Sequence, residues 1–167
     1  MRTAIVTGVA GFIGSTLAER LLKNKFKVIG IDSFTEYYPR KIKQNNIKLL
    51  RKNKDFSFIN KDILNSDLKK IFNKSDFLFH LAAQPGVRAS WGKDFENYSR
   101  NNIQVTQKLL EYAKNSDTLK KIILASSSSV YGVQNGKMRE SSTKTEPVSP
   151  YGVSKLAVEH LAKAYVK

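Results

Sequence analysis

Tyr151 and Lys155 stand four residues apart in the segment SPYGVSK, Ser149 to Lys155. On a helix, positions i and i+4 lie one above the other on the same face. A phenol and an ammonium at that spacing can meet one ligand together. The same spacing also fits two unrelated, solvated helix residues, so the context has to decide.

That context begins at the other end of the chain. TGVAGFIG places Gly8, Gly11 and Gly14 between a short β-branched run and a helical pattern. Glycine serves three needs there: a tight turn, close backbone approach to a pyrophosphate, and close helix-on-strand packing. The helix N-terminus then offers N–H groups and the positive end of its dipole to phosphates. The alternative is an ordinary glycine-rich turn. About twenty residues on, the second strand ends in Asp32. A carboxylate there accepts hydrogen bonds from the ribose hydroxyls of adenosine and repels a 2′-phosphate, which favours NAD over NADP. Arg40 and the neighbouring lysines oppose that choice, and a plain turn residue is the alternative for Asp32. After the third strand, Asp62 is placed to reach an adenine amino group, with Ile63 packing on the ring; a helix-capping Asp is the near alternative.

Elements that can hold these groups alternate along the chain. RTAIVTG, KVIGID, FSFIN, DFLFHLAA and KKIILASS read as strands. FIGSTLAERLLKN reads as a helix with Ile13, Leu17, Leu21 and Leu22 inward, and YYPRKIKQNNIKLLRKN as a polar connection containing a helix. NSDLKKIFNK reads as a short helix capped by Asn65 or Ser66, and NNIQVTQKLLEYAKN as a long one. The last helix starts near Pro150, where proline suits the first turn, and runs to the end. This order predicts an α/β doubly wound parallel sheet with helices on both faces, a Rossmann fold of five strands in order 3-2-1-4-5, as one domain over residues 1–167.

Composition narrows the classes. The 167 residues are enough for one domain with a real core, and 41% are apolar. No cysteine is present, which suits a reducing, cytoplasmic compartment and excludes thiolate metal ligation. With only His80 and His160 beside that, no metal is expected. No apolar run approaches the roughly 20 residues that a membrane span needs. The net charge of +15 suggests a nucleic-acid surface, but the basic residues are scattered, with local clusters at RKIK and RKNK. A nucleic-acid partner is therefore not the expectation, although an anionic small molecule would be attracted.

Taken with SSSSVYG, these motifs resemble the extended short-chain dehydrogenase/reductase family, the NAD-dependent nucleotide-sugar epimerases and dehydratases. The resemblance runs through TGVAGFIG, DIL, HLAAQPGVRAS, SSSSVYG and SPYGVSK in order, over essentially the whole chain. It implies Tyr151 as the catalytic base, Lys155 as its partner on the nicotinamide ribose, and Ser127 as the hydroxyl that orients the reacting sugar oxygen. It further implies cofactor contacts from Gly8, Gly11, Phe12, Ile13, Gly14, Asp32, Asp62, Ile63, Leu81, Ala82, Ala83 and Asn102, with Asn102 opening the helix after the fourth strand. Hydride would leave sugar C4 for NAD and return to the other face. The family's 4,6-dehydratases carry an Asp-Glu pair where this chain has Ser128 and Ser129, so elimination of water would lack its proton-transfer groups.

AAQPGVRASW and GIDSFTEYYPR look like the UDP-glucuronate 4-epimerase group. The serine run would then hydrogen-bond a uronate carboxylate, and Arg88 would pair with substrate or cofactor phosphate or sit in a surface ion pair. UDP-glucose 4-epimerase and UDP-uronate decarboxylase are the near alternatives. Trp91 is expected to pack rather than touch substrate. The family's members continue for a comparable length and place most of the sugar pocket there. The expectation is an N-terminal part without the C-terminal substrate domain, binding NAD with weak or no turnover, or acting as a non-catalytic or split-enzyme subunit. The resemblance also implies a homodimer through helices near residues 98–115 and 150–166, with Leu109, Leu110, Leu156 and Leu161 offering apolar faces.

Overall fold

The structure, a computed structural model, describes residues 1–141 and 143–165. Its five strands are β1 (Thr3–Thr7), β2 (Lys27–Ile31), β3 (Phe56–Ile59), β4 (Phe77–His80) and β5 (Lys121–Leu124). They form one sheet in the order β3-β2-β1-β4-β5, as expected, and each neighbouring pair is parallel. The central strand β1 is buried from Ala4 to Thr7, which is why TAIVT is apolar without alternation.

The helices are α1 (Phe12–Lys23), α2 (Arg40–Lys48), α3 (Lys69–Phe72), α4 (Phe95–Tyr98), α5 (Val105–Lys114) and α6 (Pro150–Tyr165). A π-helical stretch, Ser99–Gln104, joins α4 to α5. The chain divides into two compact units. The first holds Met1–Ala82 with Glu111–Ala125 and contains the whole sheet; the second holds residues 83–110 and 126–167.

In the first unit, α1 buries Gly14, Ala18 and Leu21, a stripe at i, i+4 and i+7. Small residues at the first two positions let the helix approach the sheet. Ala18 and Leu21 join Ala4, Val6, Val28, Ile47 and Phe56 in the core. Full burial of a leucine such as Leu21 contributes about 2 kcal/mol.

Three local expectations are corrected. Ile13 does not face inward: it is 65% exposed, beside Phe12 at 80%. The third helix is a single turn, and neither Asn65 nor Ser66 caps it. Asp67 Oδ1 accepts from Lys69 N at 3.0 Å, while Ser66 Oγ donates back to the Asp62 carbonyl at 2.6 Å. The helix after β4 begins at Phe95, not near Asn101, so Asn102 lies inside the π-helical stretch. Residues 166 and 167, expected in the last helix, lie outside the described residues.

Candidate functional site

The first unit carries the glycine turn. Gly8 has φ +67°, and its N–H donates to the Ile31 carbonyl at 2.9 Å. Gly11 is the N-cap of α1, with no side-chain cap, and the first helical turn contains no carboxylate. The positive end of the helix is thus left for an anion. A Cβ on Gly14 would collide with the Gly8 carbonyl oxygen, so α1 comes closer to the turn than any other residue would allow.

Asp32 closes this turn from the β2 side. Its Oδ2 accepts from Ala10 N at 3.0 Å and its Oδ1 from Phe34 N at 2.8 Å. Each carboxylate oxygen has two lone pairs, so each can still accept a hydroxyl. Asn46 Nδ2 donates to the Ala10 carbonyl at 2.9 Å and steadies the same turn from α2. Asp62, half-buried, turns its Oδ1 to Leu64 N at 2.9 Å, and Ile63 is buried. The carboxyl of Asp62 therefore makes a local turn, not a helix cap.

Leu81 and Ala82, leaving β4, are held by a pair that sequence reasoning did not find. Thr7 Oγ1 accepts from Leu81 N and Ala82 N at 3.2 Å each and lies 2.7 Å from His80 Nδ1. With two amides donating to it, the hydroxyl gives its own proton to Nδ1. The network thus assigns His80, which is 4% exposed, the tautomer with its proton on Nε2. Only the adjacency of β1 and β4, with Thr7 opposite His80, brings these residues together.

The Asp32 side of the turn holds two further groups that sequence reasoning missed. Lys43 is buried, its Nζ donating to the Thr35 carbonyl at 2.7 Å and lying 3.2 Å from Thr35 Oγ1. Burial lowers its pKa, and Asp32 opposes that shift. Tyr38 lies under this cation, and its pKa is raised by burial and by Asp32, so it stays a neutral donor.

The second unit carries Tyr151 and Lys155. Ser149 Oγ accepts from Gly152 N at 3.0 Å, an N-cap that starts α6 with Pro150 in its first turn. Tyr151 is half-buried, and its ring meets Tyr98 edge-on at 6.1 Å. Tyr98 is 1% exposed, its hydroxyl shared between the Pro85 and Gly86 carbonyls at 3.0 and 2.7 Å. Lys155, one turn along the same face, is 5% exposed. Burial lowers its pKa, and Glu159, a further turn on, pulls the other way. Glu159 Oε1 also accepts from Ser126 Oγ at 2.5 Å.

Ser127 caps a short turn of 3-10 helix, Ser128–Tyr131, by accepting from Ser129 N at 3.2 Å. Its own hydroxyl proton can therefore be donated. Ser128 is exposed and Ser129 half-buried. Ala83 is half-buried, and Arg88 is exposed in a 3-10 turn, Arg88–Ser90.

Asn102 is 1% exposed and internally engaged. Its Oδ1 accepts from Gln84 N at 2.7 Å, and its Nδ2 donates to the Gln84 carbonyl at 3.2 Å and to Ser154 Oγ at 2.9 Å. Ser154 in turn donates to the Tyr151 carbonyl at 2.7 Å. The π-helical stretch thus carries an amide that fastens both the segment after Ala83 and the helix bearing Tyr151. Trp91, expected to pack, is 60% exposed.

Leu109 and Leu110 are buried within the chain at 0% and 3%, so they offer no face to a partner; Leu156 and Leu161 are half-buried. Among the described residues no helix is long and apolar enough to cross a membrane, and no His, Asp or Glu cluster could hold a metal.

Burial of the Lys155 ammonium works against the folded state, and Glu159 offsets part of that cost. The folded-state pKa of Lys155 lies below its ordinary value, so between the two the unfolded chain binds more protons and stability rises with pH. Lys155→Met is expected to unfold at a higher temperature than wild type at pH 7. The gap should narrow as the pH approaches about 10.4, the ordinary lysine value. Thermal melts across pH check this; a variant less stable at pH 7 would show that the ammonium is a net stabiliser.

A parallel five-stranded sheet with a glycine turn, a strand-end carboxylate and a Tyr-x-x-x-Lys helix defines a dinucleotide-binding α/β protein of the short-chain dehydrogenase/reductase type. The profile of the NAD dependent epimerase/dehydratase family matches residues 4–167, and the chain belongs to that family. It is 48% identical over 162 residues to an uncharacterised UDP-glucose epimerase, YtcB, of Bacillus subtilis (strain 168), covering 96% of this chain and 51% of the relative. It is 39% identical to a UDP-glucuronate 4-epimerase of Thermodesulfobacterium geofontis, with 96% and 50% covered. Among solved structures, the UDP-glucuronic acid 4-epimerase of Bacillus cereus, in complex with UDP-glucuronic acid and NAD, superposes with a TM-score of 0.94 at 51% identity. That match covers 98% of this chain and 52% of the other. The chain thus spans about half the length of the relatives it matches.

Proposed function

We propose that this chain binds NAD and supplies the proton-transfer groups of a UDP-sugar 4-epimerase acting on UDP-glucuronate. The observation that carries the reading is the pairing of Tyr151 with a buried Lys155 one turn along a capped helix. Two features favour the cofactor: the helix end of α1 bears no carboxylate, and the turn at Gly8 and Gly14 leaves no space for a Cβ. Residues 1–167 are the NAD-binding part of this reading. Gly8, Gly11, Phe12, Ile13 and Gly14 would line the pyrophosphate, and Asp32 would take the adenosine ribose. Asp62 and Ile63 would flank the adenine, and Leu81, Ala82 and Ala83 would border the nicotinamide ribose. Asn102 serves by position, holding the segment after Ala83 and the start of α6.

The chemistry a bound NAD supplies is acceptance and return of one hydride at sugar C4. Tyr151, as phenolate, takes the C4 hydroxyl proton and gives it back. Lys155 keeps that phenolate favoured and binds ribose hydroxyls. Ser127 donates its free hydroxyl proton to the same sugar oxygen and fixes its direction. Ser128 and Ser129 offer neutral hydrogen bonds to a uronate carboxylate, Arg88 a positive charge, and Trp91 an exposed ring. The half-buried Leu156 and Leu161 and the exposed Val153 are the apolar part of α6 through which a homodimer would form.

Calorimetric titration with NAD and NADP, followed by incubation with UDP-glucuronate and analysis for its C4 epimer, tests the reading. Saturable NAD binding with conversion supports it; no binding of either dinucleotide overturns it. A second reading, a non-catalytic NAD-binding subunit, is favoured by the coverage of only about half of the two Bacillus relatives. Tight NAD binding without conversion at saturating sugar would select it.

The Asp32 carboxylate should also govern cofactor choice. Asp32→Asn keeps an oxygen for one of the two amides and removes the charge that repels a 2′-phosphate. The ratio of NAD to NADP affinity is expected to fall by about tenfold, helped by Arg40 and Lys43 nearby. Parallel titrations check this; an unchanged ratio would take Asp32 out of the ribose site.

A further inference from the structure

The Tyr38 hydroxyl is buried and has no hydrogen-bond partner. Its ring is held from more than one side. Lys43 Nζ lies 5.0 Å from the ring centroid and is itself fastened to Thr35, while Tyr37 meets the ring edge-on at 6.3 Å. The hydroxyl points to the glycine turn: a Cβ built on Gly11 would lie 3.8 Å from it. The Asp32 charge acts on the same hydroxyl. Gly11, Asp32 and the Tyr38 oxygen therefore converge on one spot between the turn and the end of β2.

A buried hydroxyl with no partner is a net loss that phenylalanine would avoid, and native structures hold few such groups. Lys43, over the face of the ring, gives its protons to Thr35. The space between a glycine turn and the acid at the end of the second strand is where a dinucleotide places its adenosine ribose and the adjoining phosphate. We propose that Tyr38 is a cofactor-binding residue whose hydroxyl donates a hydrogen bond to a ribose or phosphate oxygen on the adenosine side of NAD. The inference rests on the NAD reading given above. The long connection between β2 and α2 then has a purpose: it carries a neutral donor to the glycine turn, within the field of the Asp32 carboxylate.

Tyr38→Phe tests this with two readouts. Without ligand, the variant is expected to unfold at the same temperature as wild type or higher, because the removed hydroxyl has no partner. Its affinity for NAD is expected to fall about three- to tenfold, the scale of one hydrogen bond. ADP should show the same loss, and nicotinamide mononucleotide none. Equal NAD affinity in variant and wild type would overturn the contact while leaving NAD binding intact. So would a loss confined to NAD and absent with ADP, or a lowered melting temperature without ligand. Failure of the wild type to bind NAD would overturn the reading on which the contact rests.

Discussion

Under the proposed epimerase function, Tyr151→Phe is expected to lower the rate of C4 epimerisation by about 10²–10⁴-fold, the range for loss of a positioned proton-transfer group. The variant isolates the chemistry because it changes little else. The ring keeps its edge contact with Tyr98, and the Ser149 cap that starts α6 involves the Gly152 amide, not the phenol. Ser154 donates to the Tyr151 carbonyl, which phenylalanine retains. Melting temperature and NAD affinity should therefore stay close to wild type while conversion of UDP-glucuronate collapses. Chromatographic product analysis beside an NAD titration separates the two. A rate near wild type would remove Tyr151 as the base. A joint fall in rate, affinity and stability would mean that the hydroxyl is structural.

The parts of this molecule that were legible in its sequence are those set by local pattern. Alternating β-branched runs and helical stretches are enough to place five parallel strands in their order, because short right-handed crossovers leave few arrangements. Gly8 and Gly14 were legible because turn and packing exclude side chains there, and Pro150 because its fit to a first helical turn is local. What depends on distant neighbours was not. Thr7 and His80 are 73 residues apart and meet only through strand register. Tyr38 sits in a polar connection whose path no periodicity reveals. Ile13 follows the apolar spacing of a core residue yet is exposed, at a helix end read as facing a ligand instead of a sheet. Asn102 carries the right type for a site residue, but its place inside a π-helical stretch, both ends of its amide engaged, is a tertiary fact.

Gly8→Ala is the second large effect expected, and it falls on fold and cofactor site together. The residue has φ +67°, a region that costs an alanine about 1 kcal/mol or more. Its Cβ would also lie 2.7 Å from Ala82 N, 2.9 Å from Ala82 Cα and 2.9 Å from Leu81 C. All three are main-chain atoms, so no side chain can swing away. Nor is the Leu81–Ala82 backbone free to retreat, because both amides donate to Thr7 Oγ1, which lies 2.7 Å from the buried His80. The Thr7–His80 register is in turn part of the β1–β4 ladder. Relief must therefore come by opening the turn or loosening the sheet. A loss of about 3 kcal/mol or more in unfolding free energy is expected, together with loss of measurable NAD binding. Urea unfolding of the ligand-free chain gives the first quantity and calorimetry the second. Thr7→Ser, which keeps the hydroxyl, should stay much closer to wild type in both. A Gly8→Ala chain with an unchanged midpoint would show that the β4 exit yields easily. The close approach of turn and strand would then be a matter of cofactor shape alone.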